Sequence, residues 1–215
     1  MTVFRTDLKQ VPNPEFAAPA SDERLERTAR ALEANGMHAV MAANAEEAKR
    51  LFFELVPPGA QVFLGASVTL EKLGIRDEID KSGKYDALRP KMFAMNRETQ
   101  ASEIRRLGAA PDIAAGSVHA VTEDGQVLIA SNTGSQLGPY ASGAGKVIWV
   151  VGSQKIVRDL NEAMRRLEEY TARLEQVHMQ ELYGRDTTIG KVLIVNREPR
   201  PGRITVILVK EALGF

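Results

Sequence analysis

The chain has 215 residues, 44% of them hydrophobic and 26% charged, with 28 basic residues balancing 28 acidic ones and no cysteine. That length suits one sizeable core. The even charge gives no overall field to draw in nucleic acid, and the missing cysteines exclude disulfides, thiolate nucleophiles and cysteine-held iron–sulfur clusters.

Residues 1–20 carry spaced prolines and no hydrophobic period, which predicts an extended N-terminal arm packed on the domain or on a neighbour. A single α/β domain is expected over 21–215. From Ser21 the spacing turns helical, with Leu25, Ala29 and Leu32 on one face and Gly36 as a stop. HAVMA (38–42) reads as a strand. Asn44 and Glu47 form a capping box that opens a helix, and Pro57 and Pro58 end it. QVFLG (61–65) is a second strand, followed by a helix over 68–79 bent at Gly74. YDALR (85–89) reads as a short strand, and 96–108 as a helix stopped by Gly108.

Two alternating runs in SVHAVTEDGQVLIAS (117–131) flank an Asp124-Gly125 turn, a strong hairpin signal. VIWVVG (147–152) is all apolar, as in a strand covered on both faces. A long helix is expected over about 153–183, with a break or kink. KVLIV (191–195) and RITVILV (203–209) are two more strands. Helices alternating with apolar strands argue a three-layer α/β/α domain, Rossmann-like, with a mostly parallel sheet and an inserted antiparallel hairpin. QVFLG, VIWVV, KVLIV and ITVILV are its expected central strands. The longest apolar runs are strand-length, far short of the roughly 20 residues of a membrane span. MTVFRTDLKQ has no apolar core of the signal-peptide kind, so a cytoplasmic protein without membrane insertion is expected.

Ligands of open α/β sheets bind beyond the carboxyl ends of the strands. GASVT (65–69) qualifies: Gly65, Ser67 and Thr69 leave backbone N–H groups open at a helix start, where an anion is favoured. SNTGSQ (131–136) qualifies too, with Thr133, Gly134 and Ser135 able to form a nest for phosphate or carboxylate. The glycine-rich stretch up to Gly145-Lys146 is not a P-loop. Tyr140 stands where its first glycine belongs, Val147 follows the lysine, and the apolar run comes after the loop. The stretch over 131–146 is expected to rim a small-anion pocket facing GASVT. In TEDG (122–125) the carboxylate of Glu123 is a candidate nucleophile or base at a tight turn, which a plain hairpin turn would equally explain. No His cluster has metal-ligand spacing, so neither a metal nor an organic cofactor is expected.

GASVTLEKLGI, SVHAVTEDGQVLIASNTGS, KVIWVVGSQKIVRDLNEAMRR and PGRITVILVKEALG, in that order, resemble the LUD (lactate utilisation) domain family over about residues 20–214. The resemblance implies the NagB/RpiA/CoA-transferase-like fold. It also implies a part in oxidising L-lactate to pyruvate, as the subunit without iron–sulfur clusters, working with iron–sulfur partner proteins on a small anionic metabolite. TEDG is similar to the S-E-N-G signature of CoA transferases of that fold group, whose glutamate becomes acylated. The resemblance makes Glu123 the catalytic residue of an alternative, stand-alone enzyme acting on a CoA ester or a phosphorylated metabolite. Asp124 departs from that signature by placing a second negative charge beside Glu123. A third reading is a non-catalytic regulatory module that binds and never turns over. The arm and the long helix would also serve a homodimer.

Overall fold

The computed structural model describes residues 7–215, so the first six residues of the expected arm lie outside the described residues. The remainder of that segment packs against the chain itself. The Asn13 backbone N–H donates to the Glu169 carbonyl at 2.8 Å, Arg173 donates to the Val11 carbonyl at 2.8 Å, and a 3₁₀ turn over Pro14–Ala17 buries Phe16.

The elements alternate as the sequence predicts. Helix α1 (Asp22–Ala34) starts at Ser21, whose hydroxyl accepts from the Arg24 N–H. Strand β1 (His38–Ala42) leads to α2 (Ala45–Leu55). There Asn44 caps the Glu47 N–H and the Glu47 carboxylate reaches back to the Ala43 N–H. Strand β2 (Gln61–Leu64) is followed by two short helices, α3 (Val68–Lys72) and α4 (Ile75–Lys81). Gly74 adopts φ 67° between them, so the expected bend is a break.

Strand β3 (Asp86–Ala87) keeps only two residues of the expected YDALR strand before α5 (Leu88–Ala94) begins. Helix α6 (Ala101–Ala109) starts later than expected, because the Asn96 side chain accepts from the Glu98 and Thr99 N–H groups and holds 96–100 as a turn; Gly108 lies inside the helix and does not stop it. Strands β4 (Ile113–Gly116), β5 (Ala120–Thr122) and β6 (Val127–Ser131) follow, then β7 (Lys146–Gly152) and the two-residue β8 (Ile156–Val157). Helix α7 (Leu160–Arg166) continues through a π-helical stretch over Leu167–Thr171 into α8 (Ala172–Tyr183), and β9 (Lys191–Val195) and β10 (Ile204–Val209) complete the chain. The expected long helix therefore begins at Leu160, and its irregularity is the π-helical stretch.

Six strands form a fully parallel sheet in the order β1-β10-β7-β4-β2-β3. Alternate residues of β7 serve its two faces. Val147, Trp149 and Val151 pack with α1 and with Val121, Val127 and Ile129 of the hairpin; Ile148 and Val150 pack with α2, α3 and α4. The expected hairpin is the middle of a second, mixed sheet, β8-β5-β6-β9, whose far side carries Ala163 and Leu167. One expectation fails here. KVLIV is β9, antiparallel to β6 at the edge of this second sheet with Ile194 40% exposed, not a central strand. An all-apolar run does not distinguish a strand covered on both faces from one covered on one.

Strand β4, IAAG, is central, and its residues are too small to announce it. Their smallness has a use: a Cβ on Gly116 would overlap the Tyr140 hydroxyl, which donates to the Ala115 carbonyl at 3.2 Å. Tyr140 rides on a π-helical turn (Pro139–Gly143) and meets Trp149 edge-on, with ring centroids 5.5 Å apart. The glycine-rich stretch thus plugs the core. It presents carbonyls, not N–H groups. Buried Arg203 donates to the carbonyls of Pro139 (3.0 Å), Tyr140 (2.9 Å) and Ala144 (3.1 Å), and Arg200 to that of Ser142 (3.1 Å). A phosphate would meet the wrong end of these peptide dipoles.

Candidate functional site

Parallel strands β2, β4 and β7 end side by side, and each hands over to a polar segment. After β2 come Gly65 and α3, whose N-cap Ser67 accepts from the Leu70 N–H. After β4 comes Ser117. After β7 comes a 3₁₀ turn over Ser153–Lys155. These segments meet at one side chain. Lys155 is 2% exposed, and its Nζ donates to Thr69 Oγ1 at 3.1 Å and to Ser117 Oγ at 2.9 Å. Among the described residues no carboxylate pairs with it.

The neighbours of Lys155 are cationic or neutral. Arg166 is fully buried and donates to the carbonyls of Gln154 and His119 and to Thr171 Oγ1. His119 accepts from the Ala130 N–H through Nδ1 at 3.1 Å, which puts the ring proton on Nε2. Burial and then the charges of Lys155 and Arg166 hold His119 down to about 3, so it is neutral near pH 7. Burial, then Arg166 and Lys72, hold Lys155 well below the usual lysine range. Segment 210–215 closes one side: Gln154 exchanges hydrogen bonds with the backbone of Leu213 at 3.1 Å each way, and Thr69 Oγ1 donates to the Leu213 carbonyl at 3.3 Å.

The residues singled out from the sequence fall in three places. Thr69 belongs to the lysine cluster, with Ser67 two residues before it as the cap. Gly65 borders the 131–136 loop: a Cβ there would lie 3.5 Å from Gln136 Cβ and 2.8 Å from the Tyr140 hydroxyl. Gln136 Oε1 accepts from Ser131 Oγ at 3.0 Å and from Ser135 Oγ at 3.3 Å, so Ser135 and Gly65 lie on either side of one glutamine. Thr133 and Gly134 lean toward β9, where Lys191 donates to the Thr133 carbonyl at 2.8 Å. Two N–H groups of this loop already have partners, Gly134 on Ser131 Oγ and Ser135 on Thr133 Oγ1.

Glu123 stands elsewhere. Its turn and the 131–136 loop lie at opposite ends of β6. The turn docks on α1: Gly125, at φ 77°, packs so close that a Cβ would come 2.6 Å from the Ala31 carbonyl carbon, and Asn35 donates to the Asp124 carbonyl at 2.8 Å. The Glu123 carboxylate spans Arg24 and Arg27, at 2.7 Å each. It is 18% exposed and both arginines are more so. Glu123→Gln is therefore expected to cost about 1 kcal/mol in urea unfolding, a partly screened ion-pair effect. A cost near zero would show that the arginines contribute nothing at this turn.

Lys155, Ser117, His119 and Arg166 were not among the sequence candidates. The signal existed in GSQK, a lysine placed directly after an all-apolar parallel strand, where the carboxyl edge must lie. Among the described residues no group of three His, Asp or Glu side chains is placed to hold a metal.

The family model of the LUD domain matches residues 25–209. A solved structure similar in fold is that of a DUF162 family protein from Deinococcus radiodurans, at 15% identity and a TM-score of 0.53, covering 89% of this chain and 99% of that one. Among curated proteins no sequence match is found.

Proposed function

Since the chain belongs to the LUD domain family, we propose that it binds a small anionic metabolite at the carboxyl edge of β2, β4 and β7, and that it supports oxidation of L-lactate to pyruvate as a subunit working with iron–sulfur partners. The observation that carries the reading is the Lys155 cluster. Arg166 and Lys72, near enough to depress the buried Lys155, make the local potential positive in a protein of zero net charge. A carboxylate entering there would meet that potential beside the Thr69 and Ser117 hydroxyls. Zero cysteines suit the subunit that carries no cluster. The alternative acyl route through Glu123 would require that carboxylate to leave both arginines, and we do not adopt it.

Thermal unfolding with L-lactate, pyruvate, a sugar phosphate or CoA tests the site. Binding to the folded state alone is worth about 2.7 kcal/mol at a hundredfold excess over Kd. The hydroxy or oxo acid is expected to raise the melting temperature, with the rise reduced by Ser117→Val. No rise with either acid, or a rise with CoA alone, refutes the reading.

A further inference from the structure

We infer that Lys155 is the reactive group of this site, a primary amine that condenses with the carbonyl of a small 2-oxo acid to form an imine. This rests on the small-anion reading above and adds a covalent step to it.

The hydrogen bonds define the amine. Thr69 Oγ1 gives its proton to the Leu213 carbonyl and Ser117 Oγ gives its own to the Val150 carbonyl at 2.6 Å. Both hydroxyls therefore turn lone pairs toward Nζ and can only accept from it. Two acceptors match the two N–H groups of a neutral amine and leave its lone pair free. An ammonium ion would carry a third proton with no acceptor among the described residues. It would also be a buried cation without a counterion, beside Arg166. Such a group sheds its proton to avoid the desolvation cost. Lysines deprotonated by burial and by cationic neighbours are the ones that act as nucleophiles toward carbonyls.

The step balances without an oxidant or reductant. The Nζ lone pair adds to the carbonyl carbon, forming the C–N bond while the C=O π pair moves to oxygen. The two amine protons pass to that oxygen, which leaves as water as the C=N bond forms. The acid's carboxylate would supply the anion that the site lacks. Leu213 lies against Thr69, so entry of the acid displaces the Leu213–Thr69 hydrogen bond. The Thr69 hydroxyl proton, released from Leu213, is then free to serve the departing oxygen.

The test is reductive trapping of the full chain. The protein is incubated with pyruvate, reduced with sodium borohydride, digested and read by peptide mass spectrometry. The expected result is a reduced adduct on the peptide containing Lys155, well above that on any other lysine, because only an unprotonated amine adds to the carbonyl. The adduct should be absent without borohydride and absent in Lys155→Arg. A second measurement uses only the native protein: competitive acetylation across pH should place the half-maximal rate of Lys155 below that of the surface lysines. A melting temperature raised by pyruvate with no adduct on Lys155 overturns the imine and leaves the binding site standing. No adduct and no thermal response overturn both. Equal labelling of surface lysines, or a Lys155 profile matching theirs, also overturns the imine.

Discussion

Arg203→Met is expected to destabilise the protein by about 3–5 kcal/mol, the usual cost of removing one partner of a buried ion pair. Arg203 and Glu198 are 4% and 6% exposed and bonded to one another. The same guanidinium supplies donors to three carbonyls of the 139–144 turn. Methionine would leave the buried Glu198 carboxylate with only the half-exposed Arg200, 3.7 Å away, and those carbonyls without the guanidinium donor. The turn carries Tyr140, and Tyr140 fills the space left by Gly116 and Gly65, so the damage should reach the candidate site. Urea unfolding gives the cost directly, and the Glu198→Gln, Arg203→Met double variant should recover part of it because the poorly compensated buried charge is gone. A single-variant cost below about 1 kcal/mol would mean that the pair does not organise the turn.

The second large effect is a pH dependence. His119 is held at about 3 in the folded protein against 6.5 for an unperturbed histidine. Between those values the unfolded chain binds the proton and the folded one does not, so stability rises with pH through that window. Its contribution is fully present above about pH 6.5 and is lost as pH falls toward 3. Allowing for the partial exposure of the ring, the loss should be roughly 2 kcal/mol between pH 6.5 and 4, below the limit of about 1.4 kcal/mol per pH unit. Carboxylates titrate in the same range, so the comparison is with His119→Asn, whose Oδ1 can still accept from the Ala130 N–H. The stability advantage of the native protein over this variant should shrink by that amount as pH falls from 6.5 to 4. Parallel pH profiles for the two proteins would show that His119 becomes protonated without opening the fold.

Much of this protein was written locally. Ser21 and Asn44 begin helices because their side chains satisfy the first N–H groups of the helices they precede. Gly74 and Gly125 break or turn the chain because their φ is positive. The apolar runs of β7 and β10 are strands covered on both faces, as their composition implies. These features depend on neighbours a few residues away. The partition of strands between two sheets does not: β9 and β10 read alike, and only the packing of Ile194 toward solvent separates them. Nor could any period reveal β4, whose small residues matter for what Tyr140 does across the sheet. The site shows the same divide. GASVT and SNTGSQ stood out through composition, and the fold brings their edges together at Gln136. TEDG looked chemical because of its own four residues, whereas α1 supplies the two arginines that occupy Glu123. Lys155 lies inside the expected helix over about 153–183 and is not singled out there. Burial, then Arg166 and Lys72, hold its amine well below the usual lysine range, and its two acceptors, Thr69 and Ser117, come from 86 and 38 residues away, because the cost of a charge depends on everything packed around it in space.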